Sequence, residues 1–518
     1  MERERVLSNG IRLPDQWPPA EACDLEGPPP YLASPPEVIP IDLGRQLFVD
    51  DFLIESTNLQ RTFHASEQHP GNTVLKPDRP WEKGGLAPRA APFSDGVWYD
   101  PADGLFKMWY IAGTYPRETC YAFSEDGLDW TKPELDVVPG TNIVLLTEGD
   151  RRDSNTVWLD LAEEDLRKRY KMWRVMHYGE GMVNSKLSLF LSADGIHWQK
   201  AATSKRRLKG ERTTVFHNPF RQTWVYSLRN NGGGRHRDYQ EDPDPVRGTR
   251  EVEEHAQPWV YADGLDRRPD GGACQLYTLD CVAYESLILG LFSIFRGVPE
   301  DSRPKWTDVC LGFSRDGFHW TRPDRRPFAG LSDTPGEWNF GYVQSAGGCC
   351  LVVGDRLRFY LSGVADRPPG GQVGTGYTGL VTLRRDGFAS MDAGELEETL
   401  TTRPVSFAGR HLFVNAACGA GQLQVEVLDA QGSAIPPFTR ANCLPLSADS
   451  TWLPVRWQGV DDLSALRGKP VKFRFHLTRG SLYAFWVSPA PDGASHGYVA
   501  AGGPGLTAPT DTTGCSRP

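Results

Sequence analysis

Three carboxylates in this 518-residue sequence stand where proton-transfer chemistry could use them. Asp153 lies four residues before Val157 and Glu211 four residues before Val215, at the head of two aromatic strand-like runs. The shared register singles out both acids, and the equivalent place before Val97 holds Phe93. Arg151, Arg152 and Arg212 adjoin them, so a reading as loop acids in ion pairs stands level with a catalytic one. Glu285 is the sharper candidate. It interrupts the apolar run Cys281–Phe292, where a lone carboxylate is costly unless paired or used. Burial would raise its pKa, which suits a general acid near neutral pH. Its competing role is a buried ion pair with an inner-strand arginine. Asp280 is a weaker neighbour. A protonated and an ionised carboxyl group together can act as acid and base in one reaction. Glu285 is therefore read as the acid, and Asp153 or Glu211 as the base or stabiliser.

Other residues could serve binding. Arg174 and Arg229 follow aromatic runs and could hold a sugar hydroxyl or carboxylate, or keep a catalytic acid ionised. Trp81, Trp338 and His64 could line an apolar platform for a sugar ring. Asp50 and Asp51 are adjacent, so in a strand at most one points inward. Contact with backbone at a ring closure is the first reading for that pair, with Asp51 also carried as a substrate-binding candidate. No zinc-type CxxC, HExxH, Gly-rich phosphate loop or Gly-x-Ser-x-Gly elbow is present, so no metal and no cofactor is expected. Cys281, Cys310 and Cys349-Cys350 have apolar surroundings and read as buried free thiols.

The elements that must position these side chains are short strands in a repeat. Ser124-Glu125-Asp126-Gly127-Leu128-Asp129-Trp130 recurs at Ser192–Trp198 and Ser314–Trp320, with degenerate copies at Ala262–Leu265 and Arg385–Phe388. The marker aspartates step by roughly 70 residues, with one shorter step, which is the mark of a repeat architecture. Asp-Gly reads as a tight hairpin turn and the tryptophan as a packing residue. Between markers, aromatic strands flank Asp/Asn-Pro turns, as in Val97-Trp98-Tyr99-Asp100-Pro101 and Val215-Phe216-His217-Asn218-Pro219. Four antiparallel strands per unit make a propeller blade, and five markers make five blades. The expected fold is all-β: an extended Pro-rich arm (1–40), a five-bladed β-propeller (41–400), a β-sandwich of jelly-roll type (401–503) and a disordered tail (504–518). Residues 161–166 are the best helical stretch, and a short one.

The formal net charge is −10, so there is no basic bias toward nucleic acid or an anionic membrane. The first residues lead into no apolar secretory segment, and no run is long enough to span a membrane, so a soluble cytoplasmic protein is expected. The sandwich reads as a buttress and as the surface for a homodimer.

The chain resembles the five-bladed β-propeller glycosidase superfamily, whose fold invertase-like and arabinanase-like glycoside hydrolases share, and within it an uncharacterised bacterial branch. The resemblance rests on Leu47–Ile54, Asp78-Arg79-Pro80-Trp81-Glu82, Leu311–Gly317, Leu383–Phe388 and Leu482–Phe485, and spans roughly residues 41–490. It implies a glycoside hydrolase-like enzyme on a small glycoside or oligosaccharide, with a similar Tyr-Glu at Tyr284-Glu285. Two places depart from the pattern: Asn339 stands where relatives often carry an acid, and Glu211-Arg212-Thr213-Thr214 replaces an Asp-Thr-Gln-Asn-like stretch. These departures leave open a non-hydrolytic alternative, a repurposed biosynthetic enzyme or a ligand-binding protein. Asn339 is kept as a substrate-binding candidate.

Overall fold

The computed structural model describes residues 6–114, 118–147, 151–179, 184–268, 271–297, 305–365 and 373–514. Five antiparallel sheets follow one another along this chain. The first contains Ala90–Asp100, Leu105–Ala112, Glu118–Ser124 and Ile143–Leu145, and the second Arg151–Leu159, Tyr170–Tyr178, Asn184–Ser192 and Gln199–Thr203. The third contains Thr214–Asn218, Thr223–Asn230, His236–Asp242 and Gln257–Val260, and the fourth Gln275–Glu285, Leu287–Gly297 and Trp306–Ser314. The fifth sets Tyr342–Gln344 and Leu351–Val353 against Arg356–Val364 and Gly376–Arg384.

Hydrogen bonds join each sheet to the next and close a ring. Trp98 Nε1 donates to Val157 O (2.8 Å), Val215 N to Thr156 Oγ1 (3.2 Å) and Thr214 Oγ1 to Leu279 O (2.5 Å). Ser345 Oγ donates to Asp280, and Thr378 Oγ1 of the fifth sheet to Ala90 O of the first (3.1 Å). The sheets are therefore blades of a five-bladed propeller with their first strands innermost. Between blades the core is aromatic: Trp98 meets Trp158 at 4.7 Å between ring centroids, and Trp158 meets Trp224 at 5.7 Å.

The repeated heptapeptide is not a two-residue turn. Asp126 Oδ1 accepts from Leu128 N and Asp129 N, at 2.8 and 2.9 Å, and Phe123 pairs with Thr131 across the whole loop. The aspartate works as a side-chain cap, and Gly127, at φ 73°, supplies the one left-handed residue. Residues 161–166 form turns and bends, with a single 3₁₀ turn at Leu166–Lys168 after the capping Asp165. The helix Pro245–Arg250, capped by Asp244, was not foreseen.

Two further sheets face each other as a sandwich. One holds Asp449–Pro454, His411–Ala417, Gly480–Ser488, Ala389–Ala393 and Gln60–Phe63, and the other Gln422–Leu428, Lys472–Thr478, Glu398–Thr402 and Ile54–Thr57. Phe48, Phe473, Phe475 and Phe485 pack between them. The boundaries at 41, 400 and 503 need correction, because the two units exchange strands. Residues 46–63 pair in the sandwich, Glu67–Gln68 edges the fifth blade, and Tyr498–Val499 pairs with Tyr284–Glu285 of the fourth. The tail also departs from expectation over residues 504–514. Leu506 is buried, and the buried Asp511 carboxylate lies 3.1 Å from Arg385. Residues 515–518 lie outside the described chain. The nine described cysteines are unpaired, most of them buried, and among the described residues no helix is long and apolar enough to cross a membrane.

Candidate functional site

The innermost strands are irregular where they enter the channel. Register shifts occur between Ala91 and Gly96 and between Arg152 and Asn155, and Phe93, Ser94 and Arg212 have φ of 48°, 72° and 61°. Non-glycine residues in this conformation carry strain that surrounding contacts must hold, and such positions cluster at functional sites. Here the bulges turn consecutive side chains toward the axis.

The side chains so delivered form a closed circuit to which all five blades contribute. Asp153 Oδ1 lies 3.0 Å from Arg212 Nε, and Arg212 Nη1 donates to Gln344 Oε1 at 2.5 Å. Next to Gln344, Ser345 donates to Asp280 Oδ2 at 2.5 Å, and Ser94 Oγ donates to the same oxygen at 3.4 Å. Next to Ser94, Asp95 accepts from Arg152 Nη2 at 2.5 Å, and Arg152 adjoins Asp153. All eight of these residues are buried. Burial pushes the Asp95 carboxyl up to about 6, with Arg152 offsetting only part of the effect. Burial likewise takes Asp280 to about 6 against the Ser345 hydrogen bond and the Arg237 charge.

A second layer, around Tyr277 and Tyr342, lies next to this ring. Lys305 Nζ donates to Tyr277 Oη at 2.6 Å and lies 4.1 Å from the ring centroids of both Tyr277 and Tyr342. The guanidinium carbons of Arg212, Arg229 and Arg235 lie 5.1, 5.0 and 5.6 Å from the Tyr277 centroid. Arg212 also stacks on Phe93 at 3.6 Å. Arg229 Nη1 lies 3.1 Å from the part-exposed Glu211. Burial raises the Tyr277 phenol, but Lys305, Arg212 and Arg229 outweigh it and bring it down to about 7.

Of the residues singled out in the sequence, Asp153, Glu211 and Arg229 thus meet at the channel, together with Asp280. Arg174 is buried beside them, donates to Leu146 O at 2.8 Å, and bears by charge on Asp95. Glu285 does not belong to the site. Eight residues of strand at about 3.3 Å each put it ~26 Å from Tyr277. It occupies a hairpin turn, because Tyr284 pairs with Leu287, and its φ is 50°. The apolar run was two strands joined by a turn without glycine. Its carboxylate accepts from Ser495 Oγ (2.7 Å), Arg45 N (3.0 Å) and Arg385 Nη2 (3.2 Å), tying the propeller to the sandwich. A Cβ on Gly497 would lie 2.1 Å from Glu285 Oε2, so glycine is needed for that approach.

The remaining binding candidates have structural partners. Asp51 is exposed and pairs with Arg61 of the sandwich at 2.5 Å, while Asp50 pairs with Arg315 at 2.8 Å. Trp81 donates to Asn142 Oδ1 at 3.0 Å, beside the outer strands of the first blade. Trp338 donates to Gln68 Oε1 at 3.1 Å and lies over Gly363 and Gly379 of the fifth blade. Asn339 is buried and donates to Gly330 O at 3.0 Å. His64 bonds Ser390 at 2.8 Å. Sequence reasoning missed Tyr277, Tyr342, Lys305, Arg89, Arg235, Arg237 and Asp95. Asp95, two residues after Phe93, was within reach of the register argument; Lys305 was not, since it enters from a connection between strands. Among the described residues no cluster of His, Cys, Asp and Glu is arranged to hold a metal.

No protein-family model and no curated protein matches the chain. Solved structures with a similar course of chain include an N-acetylgalactosamine deacetylase from F. plautii in complex with blood group B trisaccharide. It shares 13% identity at a TM-score of 0.44, over 64% of this chain and 96% of that one. A glycosyl hydrolase from Bacteroides ovatus shares 13% at 0.39, over 62% and 94%. A mannose phosphorylase from Leishmania mexicana, in complex with phosphate ion, shares 8% at 0.38, over 63% and 89%. At TM-scores below 0.5 these likenesses carry no inference about chemistry.

Proposed function

We propose that the chain is a glycosidase-like enzyme that acts on a small glycoside or oligosaccharide at the mouth of the propeller channel. The observation supporting this reading is the five-blade circuit of side chains, in which carboxyl groups experience different environments. Asp95 and Asp280 are held by burial at about 6, close enough to neutrality to carry and release a proton. Asp153, the third carboxyl of the circuit, has Oδ1 3.0 Å from Arg212 Nε. A protonated Asp280 and an ion-paired Asp153 would supply an acid and a base for glycoside cleavage. Asp280 takes the proton-donor role first given to Glu285, Asp153 is the base or charge stabiliser, and Glu211 positions Arg229 at the rim.

The test is turnover of a panel of aryl glycosides and oligosaccharides by Asp153→Asn and Asp280→Asn. Each is expected to lose about 10²–10⁴ in kcat while keeping its circular dichroism spectrum. Full turnover by Asp153→Asn would overturn the assignment. Saturable sugar binding by the unmodified protein, with no turnover across the panel, would favour the non-hydrolytic alternative.

A further inference from the structure

The second layer is cationic in a protein whose net charge is −10. Arg89, Arg212, Arg229, Arg235 and Lys305 gather around Tyr277 and Tyr342, five cations against two carboxylates, Asp153 beside Arg212 and Glu211 beside Arg229. Arg237 packs beneath and donates to Tyr277 O at 2.6 Å. A guanidinium does not shed its proton in a protein, so buried like charges at this spacing demand anions. The phenols answer that demand in part, since Lys305 and Arg89 also draw Tyr342 below its ordinary value against the effect of burial. Meanwhile three buried donors, Arg89 Nε, Arg237 Nε and Gln344 Nε2, have no hydrogen-bond acceptor among the described residues. A buried donor without a partner forfeits the solvation it had in water.

We propose that this layer is an oxyanion site, which receives the carboxylate or ester phosphate of an anionic sugar. The inference rests on the reading that the channel mouth is where substrate binds, and it adds the class of substrate. Guanidinium forks match the two oxygens of such a group. The anion takes over the charge balance that the phenol of Tyr277 supplied. Tyr277 therefore takes up a proton from solvent as the ligand enters, with Lys305, Arg212, Arg229 and Arg235 as the charges facing it and Tyr342 the neighbouring titratable group.

Calorimetric titration of the full chain tests this with four probes: glucuronate, glucose 6-phosphate, inorganic phosphate and glucose. The expected result is saturable binding of both sugar anions, with glucose weaker by at least about tenfold. Titration in two buffers of different ionisation enthalpy should show net proton uptake at pH 8. Arg229→Gln and Lys305→Met should each weaken glucuronate binding about tenfold or more, the loss of one charge-assisted contact. Tyr277→Phe should still bind and lose the proton uptake. Equal affinity for glucose and glucuronate overturns the proposal, as does binding of inorganic phosphate without either sugar anion. Wild-type binding by Arg229→Gln and Lys305→Met together, or no anion binding by the folded protein, overturns it too. Anion binding is read without turnover, so it can fail while Asp153→Asn still abolishes catalysis, and the reverse.

Discussion

Asp280 lies on the axis of the channel with two hydroxyl donors on one oxygen and no water-exposed surface to speak of. Its carboxyl binds a proton more tightly folded than unfolded, at about 6 against an ordinary 3.8. The stability this contributes is complete below the unfolded value and is lost as pH rises through the folded one. Asp280→Asn should therefore flatten the fall in unfolding free energy between pH 4 and 7 by up to about 3 kcal/mol. Urea denaturation at the two pH values measures it, and identical slopes in variant and wild type would sink the idea. At this scale the register shared by two blades led to Asp153 and Glu211, and the end of an aromatic strand to Arg229, all three of which lie at the channel. Glu285 misled because its positive φ sits on a residue that carries no turn signature, so a hairpin looked like one buried strand. Tyr277 and Lys305 were illegible for another reason. Their significance lies in the charges that other blades bring to them, and no local pattern records that.

At the scale of elements, the Asp-Gly loops latch neighbouring blades. Gly195 O of the second blade accepts from Trp109 Nε1 of the first at 2.7 Å, and Gly127 O of the first from Tyr360 Oη of the fifth at 2.6 Å. Phe318 O of the fourth accepts from Trp259 Nε1 of the third at 2.8 Å. In the third blade Thr249, on the short helix, receives Trp173 Nε1 instead, at 3.0 Å. In that blade the capped helix Pro245–Arg250 follows the third strand, His236–Asp242, and Ala262–Leu265 follows the fourth strand, so it is not the equivalent of the other copies. A Cβ at Gly195 would lie 2.4 Å from the Trp109 indole, whereas one at Gly140 would meet nothing within 4 Å, and both glycines have φ near 77°. Gly140→Ala should cost about 1 kcal/mol in backbone strain, and Gly195→Ala about 2–3 kcal/mol because the latch must also open. Equal losses in chemical denaturation would mean the latch contributes nothing. Glu285→Ala tests the other joint. It leaves Arg45 and Arg385 without a shared counter-charge, so stability should fall by about 3 kcal/mol while turnover per folded molecule is unchanged. A fall in kcat with stability intact would restore Glu285 to the chemistry.

At the scale of the whole molecule, propeller and sandwich are woven together and do not follow one another in sequence. The period of the repeat made the blade count legible, and the alternation after residue 400 made the sandwich legible. Strand exchange was not, because a two-residue strand such as Glu67–Gln68 has no period to detect. The weaving predicts that a chain ending at Ser488 is less stable than the full protein even though it retains every strand of the sandwich. A thermal midpoint equal to wild type would refute this.

That last segment has a consequence for traffic. Ala500 N bonds Ala283 O, Ala501 O accepts from Tyr99 N, Ala501 N bonds Cys350 O and Gly502 O accepts from Val352 N. The chain thus crosses the end of the channel away from Tyr277 and bonds three blades on the way. Among the described residues this segment lies across that end of the channel and narrows it. On the proposed reading a polymer would not thread through, and only the terminal units of a long substrate would reach Asp153. On the same reading each product would leave past the cations around Tyr277, which would make departure as sensitive to charge and salt as arrival.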